Sequence, residues 1–122
     1  MSQQFVFWKT DRQLDARAVY EALMDGQSVP GLEVLDTDAG ERAIIAAFPD
    51  WAVELTRAAG GEQTALEAPD EHRAVMVDYL PQAVTASCYG MGPDDWNRVI
   101  SAFVDLGWPL YDPQIDARFD EY

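Results

Sequence analysis

Residues 73–89, Arg-Ala-Val-Met-Val-Asp-Tyr-Leu-Pro-Gln-Ala-Val-Thr-Ala-Ser-Cys-Tyr, decide the reading of this chain. Val75, Val77 and Tyr79 alternate with Ala74, Met76 and Asp78, and Val84, Ala86 and Cys88 alternate with Thr85, Ser87 and Tyr89. That is the period of a pleated strand, on which successive side chains take opposite faces. Leu80-Pro81-Gln82 between the two runs is a turn, so the stretch predicts a β-hairpin.

On the C-terminal side, Gly90-Met91-Gly92-Pro93 leads into the best helix in the chain. Proline suits the first helical position, and Asp94 and Asp95 complement the positive end of the helix dipole. Trp96, Val99, Ile100, Phe103 and Leu106 make its apolar stripe, and Gly107 closes it. Trp108-Pro109-Leu110-Tyr111 predicts a last strand.

On the N-terminal side, Phe5-Val6-Phe7-Trp8 predicts a first strand. A run apolar at every position suits a strand covered on both faces or near the middle of a sheet. Asp15 is an N-cap for a helix carrying Val19 and Leu23, with Gly26 as its stop. A second helix starts between Asp36 and Asp38, presents Ile44, Ile45 and Phe48, and ends at Pro49. Residues 50–70 are ambiguous. Trp51 to Thr56 reads as a helical turn or a strand, Gly60-Gly61 as a break, and Thr64 to Ala68 as a short edge strand. The order strand, helix, helix, ambiguous segment, hairpin, helix, strand predicts one α+β domain over residues 1–122. The expected arrangement is a ferredoxin-like split βαβ with an inserted helix, mostly antiparallel, its helices on one face.

Twenty-two acidic residues oppose eight basic ones, a formal net charge of −14 in 122 residues, yet 48% of the chain is hydrophobic. A disordered acidic tail lacks such apolar content. A folded domain with this field repels nucleic acid, phosphorylated substrates and anionic membranes, and it steers toward basic partners. One cysteine excludes an internal disulfide framework and a multi-cysteine metal site. The opening Met1-Ser2-Gln3-Gln4-Phe5 lacks a secretory pattern and no apolar run approaches a membrane span, so the expected setting is the cytoplasm.

No stretch carries a catalytic motif, and no cofactor or metal is expected. His72, in Asp70-Glu71-His72-Arg73, reads as a solvated turn residue. Cys88 reads as a small buried hydrophobe. Asp36 to Glu41 lacks the glycine and the bidentate glutamate of a calcium loop. Gly90-Met91-Gly92 lacks the lysine of a phosphate loop, and Asp94 and Asp95 stand where phosphate would bind.

The C-terminal stretch Gly107-Trp-Pro-Leu-Tyr-Asp-Pro-Gln-Ile-Asp-Ala-Arg-Phe119 resembles the ending of small uncharacterised bacterial proteins. Their last strand runs into a Tyr-Asp-Pro-Gln turn and closes near Arg-Phe, and they too open with a short aromatic strand. Some of them resemble immunity proteins encoded beside polymorphic or contact-dependent toxins. The resemblance implies a protein that neutralises a cognate toxin and needs no active site. A nuclease toxin carries a basic site for phosphodiesters, which a small acidic domain can cover. In the turn itself, Asp112 is placed to bond back to the chain and Arg118 to pin the tail by pairing with an acid.

The expected partner is therefore a basic toxin domain, bound through Trp51, Glu54 and Glu62 in the ambiguous segment and Asp112, Asp116, Asp120 and Glu121 in the tail. The alternative is a small ligand-binding or regulatory module of ferredoxin-like type, possible as a homodimer through its sheet.

Overall fold

The structure, a computed structural model, describes residues 2–58 and 61–119. The expected hairpin is present as β4 (Ala74–Tyr79) and β5 (Val84–Tyr89). Leu80 and Ala83 exchange backbone bonds of 2.8 and 3.4 Å across Pro81-Gln82. Before the hairpin come β1 (Ser2–Phe7), α1 (Ala16–Met24), α2 (Thr37–Ala47), β2 (Ala52–Ala58) and β3 (Gly61–Glu67). After it come α3 (Pro93–Val104), β6 (Leu110–Asp112) and β7 (Ala117–Phe119). All seven strands join one antiparallel sheet in the order β2-β3-β4-β5-β1-β6-β7.

This corrects the expected ferredoxin-like split βαβ with helices on one face. The helices lie on both faces, and the ambiguous segment supplies two further strands. Phe5 and Phe7 point into a core with Ile44 and Phe48 of the α2 segment and Val99 and Phe103 of α3. Val6 and Trp8 point the other way, into a second core with Val19 and Leu23 of α1 and with Tyr111. The cause is the unbroken apolar run in β1: alternation sends its residues to two faces, and each face needs a cover.

The two layers differ in weight. α1 buries fully only Val19 and Leu23, at about 1.5–3 kcal/mol each. α2 and α3 close a core of nineteen buried residues, so they hold the sheet more firmly than α1 does.

Local signals set the helix ends. The Asp15 carboxylate accepts from Arg17 N at 3.2 Å, and Gly26 takes φ +77° beyond the last turn of α1. Asp36, the first residue of the expected start, caps α2, accepting from Ala39 N at 3.2 Å. Pro93 opens α3 as expected.

The ambiguous segment forms a hairpin in which Ala58 opposes Gly61; of the expected Gly60-Gly61 break, Gly60 lies outside the described residues. The edge strand is β2, whereas the expected edge strand, Thr64 to Ala68, falls largely in β3, inside the sheet.

Candidate functional site

The sequence-named residues go to two opposite ends of the sheet. Trp51 sits just before β2 and is only 8% exposed. Its ring lies 4.5 Å from the Phe48 ring and 5.3 Å from the Arg73 guanidinium. Trp51 therefore closes the end of the α2/α3 core. Glu54 is exposed in β2. Glu62 lies in β3 and meets Arg57 at 3.3 Å.

Asp112 and Asp116 belong to the β6–β7 turn, and strands β2 and β7 are the two ends of the sheet. Six strand spacings separate those ends, roughly 28 Å along the sheet. Asp112 accepts from Gln114 N at 3.0 Å, the expected Asx turn, and also receives the Gln114 side-chain amide. Asp116, at φ +48°, accepts the Tyr111 hydroxyl at 2.7 Å. Gln114 bonds both Gln4 N and Gln4 O at 2.8 Å, continuing the β1 ladder past the short β6. The Arg118 guanidinium donates to the carbonyls of Trp8 and Pro109 at 2.8 and 3.0 Å and lies 4.4 Å over the Trp8 ring. Asp120 and Glu121 lie outside the described residues.

The strand register assembles a surface that the sequence did not show. On the face opposite α2 and α3, three rows cross the sheet from β2 to β5: Ala52, Glu67, Ala74, Tyr89; Glu54, Ala65, Met76, Ser87; and Thr56, Gln63, Asp78, Thr85. All but Thr85 are exposed or half-buried. α1 packs with β1 and β6 and leaves these rows uncovered except at Thr85. A shallow concavity of about 320 Å³ lies here, with Ala52, Ala65, Ala74 and Met76 in its lining beside Glu54 and Glu67. Each row holds one carboxylate, Glu67, Glu54 or Asp78, and none holds a lysine or arginine.

The opposite rows explain why this face stays open. Val53, Leu66, Val75 and Cys88 form one, and Leu55, Thr64, Val77 and Ala86 the next. Leu66, Val75, Cys88, Val77 and Ala86 are buried in the core that the helices close, whereas Val53 and Leu55 on β2 stay 42% and 45% exposed. Thr64 and Tyr79 satisfy each other there through a 2.8 Å hydroxyl bond.

Of the sequence-named residues that the structure describes, only Glu54 lies in the open rows. Glu67 and Asp78 were missed. The available signal was the composition of the second β4 face: Ala74, Met76 and Asp78 are less polar than a fully solvated face needs.

Groups of possible chemical use are elsewhere. Cys88 is buried, and burial pushes its thiol up to about 12, with Asp95 adding to the rise; it stays protonated near neutral pH. His72 is exposed in a turn, where its backbone N–H donates to the Asp70 carboxylate at 2.9 Å. That bond, more than the nearby Arg73, holds Asp70 below its ordinary value. Asp95 is buried against Arg73 at 3.0 Å. Carboxylate oxygens of Asp38, Glu41 and Glu62 lie within 4.8 Å of one another. Arg57 supplies positive charge to Glu41 and Glu62 at 3.0 and 3.3 Å, so the group reads as a clamp between α2 and the β2–β3 hairpin.

A larger cleft, about 550 Å³, opens beside the C-terminal end of β1, lined by Thr10, Arg12, Leu14, Pro109 and Arg118 among others. Its lining holds Arg12 and Arg118 against one carboxylate, Asp11, which sets it apart from the acidic open face.

No protein-family model matches the chain, and no curated protein is similar to it in sequence. No helix among the described residues is long and apolar enough to cross a membrane.

Proposed function

We propose that this chain is a binding protein for a basic protein domain, acting as an immunity protein that neutralises a cognate bacterial toxin, with the open face of β2–β5 as its contact surface. The observation that carries the reading is the three-row face: a carboxylate in every row, no cation, and a floor of alanine and methionine. Small floor residues allow close approach, and the carboxylates choose the sign of what approaches. Tyr89, 43% exposed at the end of one row, supplies an aromatic of the kind enriched at interface centres.

The net charge of −14 extends the same preference over long range. Complementary fields accelerate encounter, which suits a protein that must meet a toxin before it acts. A nuclease is the proposed toxin class, because phosphodiester binding requires a basic site. The resemblance of the 107–119 segment to small bacterial proteins, some of which resemble immunity proteins, supports the reading, and the cytoplasm is its natural setting.

The test is co-expression with the C-terminal fragment of the protein encoded by the adjacent upstream gene. The expected result is a salt-sensitive 1:1 complex that silences a toxic activity of the fragment. A harmless fragment that forms no complex would refute the reading.

The 550 Å³ cleft favours a second reading, a module for a small anionic ligand. Arg12 has no ion pair among the described residues and lines that cleft. Saturable thermal stabilisation by inorganic phosphate or citrate, lost in Arg12→Ala, would favour it; no stabilisation at millimolar concentration would dismiss it.

A further inference from the structure

We propose that the free edge of β2 takes an extended segment of the same basic partner as an eighth strand, so that backbone pairing and the acidic face act together. The inference rests on the reading above and adds how the partner is held.

The two edges of the sheet are built differently. β7 has three residues and is tied down through Arg118. β2 has seven, Ala-Val-Glu-Leu-Thr-Arg-Ala, with no proline and no lysine; its two charges are Glu54 and Arg57, and Arg57 is held by Glu41 and Glu62. Val53 and Leu55 are 42% and 45% exposed along it. Proteins normally blunt such an edge with short strands, lysine, proline or a bulge, because its unpaired N–H and C=O groups template another strand. A long edge left open with two exposed apolar side chains is what strand addition uses.

The size of the open face points the same way. Four strands of about six residues span roughly 19 by 20 Å, on the order of 400 Å². A stable interface covers about 800 Å² per partner. Contact must therefore continue past the face. On the β5 side it meets β1 and the α1 layer, whereas beyond β2 there is no further strand among the described residues.

Charge selects the occupant. A second copy of this chain brings another −14, and self-repulsion opposes its docking. A basic strand fits both sides of the edge. Its residues on the open-face side lie beside Glu54, where lysine or arginine is favoured, and those on the other side lie beside Val53 and Leu55, where apolar residues are, with Arg57 further along that side already neutralised by Glu41 and Glu62. Alternating basic and apolar residues are the chemistry this edge recognises.

The probe is the peptide acetyl-Lys-Val-Lys-Val-Lys-Val-Lys-amide, added at millimolar concentration to the full chain and followed by NMR amide exchange. Controls are the same peptide with proline at its central valine and one with glutamate for every lysine. At nine-tenths saturation, the β2 amides that face away from β3 are expected to exchange about tenfold more slowly. The proline and glutamate peptides should leave them unchanged.

Three results would overturn the inference. One is binding by the proline peptide as tight as by the parent, with shifts at Ala65, Met76 and Tyr89 but no protection in β2; that leaves the acidic-face reading standing. Another is no binding by any peptide. The third is protection of the same amides without peptide, rising with protein concentration, which would assign the edge to a second copy. Failure of the toxin co-expression, by contrast, strikes the function and not the edge.

Discussion

Arg57 Nη2 donates to both carboxylate oxygens of Glu41, at 3.0 and 3.2 Å, and so ties the edge strand β2 to helix α2. The same guanidinium meets Glu62 at 3.3 Å. Arg57 is 52% exposed and Glu41 15%, so the pair is solvent-screened and worth about 0.2–1 kcal/mol. Arg57→Ala is expected to lower global stability by no more than about 1 kcal/mol in urea titration. Exchange of the β2 amides should rise more than that of β4. The variant also uncovers two carboxylates near the proposed edge, so association with a basic partner should quicken. A loss of several kcal/mol, spread evenly over the sheet, would show that the clamp holds the core and not the edge.

Two glycines are fixed by contact. A Cβ on Gly90, at φ +67°, would lie 2.1 Å from the His72 carbonyl oxygen, which the backbone cannot vacate cheaply. Gly90→Ala is expected to cost more than about 3 kcal/mol, through strain and overpacking together. A Cβ on Gly40 would lie 2.9 Å from the Trp108 ring, which packs on Phe103 with ring centroids 5.9 Å apart. Alanine gains about 1 kcal/mol of helix propensity at such a site, against an overpacking cost of about 1–3 kcal/mol. Gly40→Ala should therefore be net destabilising, but less so than Gly90→Ala. Thermal melts of both variants check the order; a stabilised Gly40→Ala would mean that α2 shifts freely over Trp108.

Burial raises the Cys88 thiol from 9.0 to about 12 and the Tyr79 phenol from 10.0 to about 12. The Thr64 bond opposes part of the Tyr79 rise. Both groups keep their protons in the folded chain at a pH where the unfolded chain releases them. Their stabilising contribution is complete below about pH 9 and is lost as pH climbs to 12. Urea titrations from pH 8 to 11 should show falling stability, with a shallower fall in Cys88→Ala. In the native state Cys88 should resist a thiol reagent at pH 8. Rapid modification without unfolding would contradict its placement.

Much of the fold was legible because single residues fixed it. Asp15 marks the start of α1, Pro93 the start of α3, and Pro81-Gln82 the β4–β5 turn. The continuous Phe5-Val6-Phe7-Trp8 run required covers on both faces, a consequence that helices on one face did not respect. The β2–β3 hairpin was harder. Trp51, Val53 and Leu55 do alternate with Ala52, Glu54 and Thr56, but an edge strand exposes its apolar residues, and the run is short enough to fit a helical turn. The open face was not legible at all beyond Glu54. Glu67 and Asp78 become its neighbours only through the pairings Ala65 to Met76 and Gln63 to Asp78, and a one-residue slip would send them to the other face. Trp51 is expected at the partner surface from its sequence, whereas its ring lies against Phe48 and Arg73.

The most direct measurement is the association rate of the adjacent gene's C-terminal fragment with three forms of this protein, by stopped-flow fluorescence over a range of salt. The forms are the native chain, Glu54→Lys/Glu67→Lys/Asp78→Lys on the open face, and Asp112→Asn/Asp116→Asn at the far edge, where asparagine keeps the acceptor and tolerates the left-handed backbone of Asp116. The expected result is association at least about tenfold slower in the triple reversal, with a weaker salt dependence, and within about twofold of native in the asparagine pair. A native rate in the triple reversal, with the loss falling on the asparagine pair, would contradict the account and move the contact surface to the opposite end of the sheet.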